Sequence, residues 1–316
     1  MKRIIIYDYL KAFAILLVIY GHLLSNCIYK GNQLFINGFL SSVHIPLFLI
    51  ISGFFIREKE INRLFWKSII KRFIIPYFNW CIILSIYYIG FRIFDISMSK
   101  VNLQLIVQNC LHSFLWFIKA YVLSYILWQI LQCIPYKNKN FLKLLLGTIV
   151  LVCMNIISIK NKYWSDIFSL SLYTYTILAT AVCVKDKLTK ISYKECSLCI
   201  IFILVFLPYT NIKYSYFNAS FTFLINSNEL YIFIIRYVLG FSCSFIILFL
   251  SQQINQNINK KYFISKYIES IGQNTLPIYM IQSLLAEAIL PRIFKFNASA
   301  INQFIISLLS TKNGQG

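Results

Sequence analysis

The first residues along the chain whose types and spacing could do chemistry are Asp8, Lys11 and His22. They interrupt an otherwise apolar string, YDYLKAFAILLVIYGH. Lys11 and His22 are eleven residues apart, almost three whole turns of α-helix. A helix therefore puts an ammonium and an imidazole on one face, about 16 Å apart along its axis. Asp8 lies one turn before Lys11 and is placed to pair with it. A charge held at depth in a bilayer costs at least ~2.5 kcal/mol on insertion scales, so it turns towards protein or water. Snorkelling of Lys11 to the inner headgroups is the competing reading. Against it, Tyr7 and Asp8 lie nearer that interface and Lys11 sits inward of them. An imidazole gains and loses its proton near neutrality, so His22 can act as a general base or as a nucleophile.

The chain has three histidines, His22, His44 and His112. His22 and His44 bracket one short segment between two apolar runs, which points to a shared polar pocket. His112 reads as an interfacial histidine at a span end. From His44 the sequence continues HIPLFLIISGFFI. Pro46 there falls near a helix start, where proline is cheap, and Ser52-Gly53 permits close approach of another helix. The next segment, REKEINRLFWKSIIKRFIIPYF, reads as a basic loop leading into a span. Its Lys67 and Lys71 are one turn apart with Arg72 beside them, a grouping able to hold a phosphate. Topology signalling needs the same residues, and composition does not choose between the two. Lys119, Arg236 and Glu287 are further charges inside apolar runs and candidates to line a cavity.

The elements that must position these groups are transmembrane helices. Of 316 residues, 59% are hydrophobic and 13% charged, against about a quarter charged in a soluble domain. Apolar runs fall at roughly 4–24, 39–56, 73–93, 113–132, 142–159, 165–184, 196–211, 230–250 and 268–290, with a shorter one near 299–309. The expected fold is all-α, a polytopic transmembrane helix bundle of about nine to ten spans. It forms one integral membrane domain over residues 1–311, with a polar tail at 312–316. No cleavable leader is expected, because the first run lacks a small-residue cleavage site. With the N-terminus cytoplasmic, inner segments carry 19 of the 30 Lys and Arg and outer segments 8, as the positive-inside rule requires. The net charge of +20 is thus spread over short loops and forms no continuous basic face, which argues against nucleic acid as a partner. Of nine cysteines, Cys196 and Cys199 form a C-x-x-C without a second pair or a histidine cluster. They read as packed thiols, and no metal is expected. Cys27 and Cys110 fall on the outer side, where a disulfide is possible.

Several of these segments together resemble a known family. The pattern R-x4-D-x2-K-x10-H from Arg3 to His22 resembles the first helix of the acyltransferase-3 membrane O-acyltransferases. HIPLFLIISGF resembles that family's second-helix motif, KRFIIP its basic run ending in proline, LWF at Leu115 to Phe117 a fourth-helix motif, and IGQNTLPIYMIQ a late motif. Gln282 stands where the late motif usually has histidine. Within the family the chain looks most like the fucose 4-O-acetylase-like sugar O-acetyltransferases.

The resemblance implies acetyl-CoA as acyl donor and a hydroxyl of an envelope polysaccharide or lipid-linked sugar as acceptor. It also implies a bacterial inner membrane setting. On that basis Lys67, Lys71 and Arg72 are expected to hold the CoA phosphates and Lys11 to steer the donor arm. His22 is expected to handle the acyl group and acceptor, with Asp8 and His44 supporting. Two rivals come from other classes. One is a transporter or flippase for a sugar-linked or lipid-linked substrate, which internal inverted repeats would favour. The other is a non-catalytic membrane sensor, which an appended soluble domain would favour.

Overall fold

The structure is a computed structural model. It describes residues 5–27, 34–94, 115–133, 139–188, 191–206, 230–257 and 263–290. His112, Cys110, the run at 299–309 and the tail lie outside the described residues, as do the side chains of Cys27 and Glu287.

The described residues are helical, with no strand among them. The elements are α1 (Ile5–Cys27), α2 (Leu34–Phe55), α3 (Arg63–Ile69), a π turn (Ile70–Ile74) and α4 (Ile75–Phe94). α5 (Trp116–Ile130) follows, closed by a 3-10 turn at Leu131–Cys133. Then come α6 (Lys139–Ile157), α7 (Lys162–Cys183), the short α8 (Lys185–Leu188), α9 (Tyr193–Phe206) and α10 (Leu230–Asn257). The last are α11 (Phe263–Gln273), α12 (Thr275–Leu284) and a second π turn (Leu285–Ile289). Among the described residues five helical stretches are long and apolar enough to cross a membrane: Ile6–Leu24, Arg63–Tyr87, Lys139–Ile157, Tyr163–Cys183 and Ile234–Gln253. Ser42–Phe55 is a shorter apolar helix. The protein is an all-α membrane protein.

Three sequence expectations change. The segment leading out of α2 is not a loop up to Arg72. Asn62 caps α3 by accepting from the Phe65 N–H at 3.0 Å, and the helix then runs through the basic residues into α4. Pro46 lies deep inside α2, because that helix begins at Leu34. The run at 268–290 is not one straight helix. It breaks at Asn274, whose side-chain amide donates to the Ser270 carbonyl at 2.8 Å, before α12 restarts.

The chain folds into two compact units, each assembled from sequence-distant segments. The first comprises Met1–Leu47, Cys196–Ser215 and Val238–Gly316, the second Phe48–Glu195 and Tyr216–Tyr237. In the first unit α1 packs against α11, α12 and the second π turn. The close approach is set by Gly272, since a Cβ there would run into the backbone of Asp8. Gly240 of α10 does the same for α2: its Cβ would meet the ring of Pro46 and stand 2.8 Å from the Ser42 carbonyl oxygen.

In the second unit α7 packs against both α5 and α6. Trp128, Leu131, Leu151, Leu172, Tyr175 and Ala179 form its core. Hydrocarbon tails are as apolar as leucine, so small residues and polar contacts must hold such helices together. Gly53 lies against Ala181, where a Cβ would come within 2.8 Å of the alanine's own. Ser124 and Thr174 hydroxyls meet at 2.6 Å, and Ser169 donates to Asn155 Oδ1 at 2.6 Å. The Tyr175 hydroxyl donates to the Lys143 carbonyl at 2.5 Å, and Gly147 leaves room for its ring. The outward face of α6 carries Leu145, Ile149 and Ile157, as a lipid-facing surface requires.

Candidate functional site

α1 settles which way the polar stripe turns. At about 100° per residue, Lys11 and His22 fall about 20° apart around the helix, with Ile15 and Val18 beside them. Ile15 and Val18 are buried, while Phe13, Leu16 and Tyr20 on the opposite side are the exposed residues, at 45%, 50% and 50%. The ammonium and the imidazole thus lie on the protein-facing side of α1. Asp8 is buried, and its Oδ1 stands 3.9 Å from Lys11 Nζ, an electrostatic pairing longer than a hydrogen bond.

His44 is buried in α2 and its Nδ1 is 2.5 Å from the Leu40 carbonyl oxygen. A carbonyl only accepts, so Nδ1 is the donor in this bond. Pro46 lacks an N–H, which leaves the Ser42 carbonyl without its usual α-helical donor one turn back. His44 sits inside that loosened turn. His22 and His44 both belong to the first unit and lie within electrostatic reach of one another.

The basic cluster belongs to the second unit. Lys67 lies on α3, and Lys71 and Arg72 lie in the π turn. Pro76, just beyond, offers no N–H to the Arg72 carbonyl and its ring crowds that carbonyl. The chain responds by widening one turn, with the Ile75 N–H bonding back to the Ile70 carbonyl. The basic-run-then-proline motif is therefore a device that re-aims Lys71 and Arg72 at the point where the span begins. All three cations are exposed.

Arg72 also acts electrostatically on Tyr121 and Tyr125 of α5, whose hydroxyls bond to Ser52 and Gln129 respectively. The aromatic residues form a ladder: Phe117 stacks near Tyr121 at 6.0 Å and Tyr121 near Tyr125 at 6.3 Å, with Phe73, Phe65 and Phe48 against their sides. The sequence reading missed this ladder. Its signal is the four-residue spacing of Phe117, Tyr121 and Tyr125, one stripe of a helix. The LWF motif opens α5, and Leu115 adopts a left-handed backbone with φ of 54°. That conformation costs a non-glycine residue roughly 1–2 kcal/mol.

Other charges are placed as follows. Lys119 Nζ lies 5.8 Å over the ring of Tyr163. Arg236 is buried in the second unit. Lys143, counted above with the loop cations, is buried in α6, 3.1 Å from Glu58 and 5.3 Å over the Trp128 ring. Cys196 and Cys199 are buried on α9. Among the described residues no group of three or more His, Cys, Asp or Glu could hold a metal ion.

The described residues thus form a helical membrane protein with a polar stripe and two imidazoles in one unit and a basic cluster in the other. Comparison with known families agrees: the acyltransferase domain family matches residues 4–311, nearly the whole chain, and the protein belongs to it. Among characterised proteins it is similar to nodulation protein NolL of Mesorhizobium japonicum, with 29% identity over 137 residues, 41% of this chain. The match spans 36% of that relative's length. No solved structure matches the chain.

Proposed function

We propose that the protein is an O-acetyltransferase moving an acetyl group from acetyl-CoA to a hydroxyl of an envelope polysaccharide or lipid-linked sugar. The setting is the inner membrane of a bacterium, with the N-terminus in the cytoplasm. The observation that carries this reading is the protein-facing stripe of α1, with His22 within electrostatic reach of His44, whose Nδ1 donates to the Leu40 carbonyl.

In this reading the exposed cations Lys67, Lys71 and Arg72 take the CoA phosphates, for which Arg offers a planar fork and Lys a point charge. Lys11, paired with Asp8, steers the donor arm at a point about 16 Å along the helix from His22. His22 takes the proton of the acceptor hydroxyl as that oxygen attacks the thioester carbonyl carbon. The new C–O bond forms, the C–S bond breaks, and the CoA thiolate leaves and takes up a proton. A route through acetyl-His22 uses the same residue as nucleophile and reaches the same products. His44, anchored on the Leu40 carbonyl, orients His22 or the acceptor.

The test is purified protein in lipid nanodiscs with radiolabelled acetyl-CoA and isolated envelope glycan. Label on the glycan, lost on mild base treatment as an ester is, supports the reading. Glycan that stays unlabelled while the protein remains folded defeats it.

A further inference from the structure

Gln282 is 3% exposed, and both its Nε2 and its Oε1 lack a hydrogen-bond partner. It is the one side chain among the described residues with two such atoms. An amide buried in a membrane protein without partners is costly where leucine or methionine would pack freely. Its neighbours do not relieve it. Met280 and Ala286 on the buried face of this segment are apolar, and the Ser283 hydroxyl is spent on the Met280 carbonyl at 2.7 Å. α12 itself packs against α1, the helix that carries Lys11 and His22.

A second orphan lies in the same unit. Ser244 is fully buried and its Oγ has no partner. It follows Gly240 by one turn on the same face of α10, and Gly240 is the residue that packs on Ser42 and Pro46, either side of His44. Two unrelieved polar side chains thus stand on the two helices that pack against the histidine-bearing helices.

We propose that Gln282, with Ser244, binds hydroxyl groups of the acceptor and so sets which sugar is acylated. An unpaired amide offers two donors and one acceptor, which a neutral polyol complements. A phosphate or carboxylate would use the donors and leave Oε1 facing another oxygen. The inference rests on the acetyl-transfer reading for the meaning of "acceptor", and its test separates the two. The CoA arm also contains amides, so donor and acceptor are measured apart.

Wild type, Gln282→Leu, Gln282→Glu and Ser244→Ala in nanodiscs are titrated with a panel of octyl pyranosides (gluco, galacto and manno). One series follows direct binding without donor, and a second follows acetyl transfer with acetyl-CoA. The expected result is binding of at least one glycoside by wild type, weakened about tenfold or more in Gln282→Leu and partly kept in Gln282→Glu. The transfer KM for the glycoside rises in parallel, while the KM for acetyl-CoA stays within about twofold. Unchanged glycoside binding in Gln282→Leu together with a raised melting temperature overturns the proposal, since Gln282 is then only a misfit in the packing. A shift in the acetyl-CoA KM instead of the glycoside KM also overturns it, as does a wild type that binds none of the panel. Glycoside binding that depends on Gln282 without any acetyl transfer leaves this proposal standing and defeats the acetyl-transfer reading alone.

Discussion

At the scale of single residues the two imidazoles invite the sharpest experiments. Replacing His22 with alanine should lower acetyl transfer to glycan by about a hundredfold to ten-thousandfold, the usual worth of a positioned base, at unchanged protein level. Transfer at the wild-type rate would remove its central role. Lys11→Ala should raise the KM for acetyl-CoA, and Lys11→Arg should restore it in part, since arginine keeps the charge while changing its geometry. Steady-state kinetics on both variants separates these outcomes. The stripe was legible in the sequence because its warrant is arithmetic: eleven residues bring a helix back to nearly the same face. The hydrogen bond of His44 was not legible, since it depends on the Leu40 carbonyl standing opposite Nδ1. Nor was the burial of Lys143. A lysine at the edge of an apolar run looks like a headgroup anchor until Glu58 and Trp128 are seen around it.

At the scale of elements, glycine and proline decide how close and how straight the helices are. Gly272→Ala should destabilise the protein by about 1–3 kcal/mol, as overpacking does, because the added methyl meets the Asp8 backbone rather than a side chain that can move. A melting curve in nanodiscs reads this directly, and an unchanged midpoint would mean that α11 can slide away from α1. Pro76→Ala restores an N–H that can bond to the Arg72 carbonyl, so the π turn should revert to α-helix. Closing the widened turn by one residue rotates Lys71 and Arg72 by about 100° relative to α4. The expected result is a raised acetyl-CoA KM with little loss of melting temperature. The motif KRFIIP was visible in the sequence, but the widened turn was not. The identity of a proline names the missing donor without saying whether the helix kinks, stops or gains a residue. The same limit applied to Pro46, whose place deep in α2 depends on where that helix begins.

At the scale of the whole molecule, class was easier to read than architecture. Hydropathy alone marks an all-α membrane protein, because a chain in lipid must satisfy its backbone within each helix. How the helices group was not readable, since no local pattern says that the first 47 residues join segments beyond Glu195 while the chain between folds as a second unit. The segment linking α2 to α3 gives a handle on orientation. Gln129 Nε2 donates to the Arg57 carbonyl at 3.0 Å, and the Lys59 N–H is within 3.2 Å of Gln129 Oε1 and 3.1 Å of Gln132 Oε1. Gln129→Leu should release this segment and speed tryptic cleavage after Arg57 and Lys59 in inside-out vesicles. Right-side-out vesicles should stay uncut, and cleavage there would reverse the orientation.

The packing of α1 on α11 and α12 bears on how the protein is made. The partners of the first helix are encoded roughly 240 residues after it. At about 5–20 residues per second of synthesis, α1 waits some ten to fifty seconds in the bilayer before α11 and α12 exist to pack on it. A ribosome that stalls before Phe263 leaves α1 without these two partners. The fit of Gly272 against the Asp8 backbone thus forms only after Phe263 and the residues that follow it have been made.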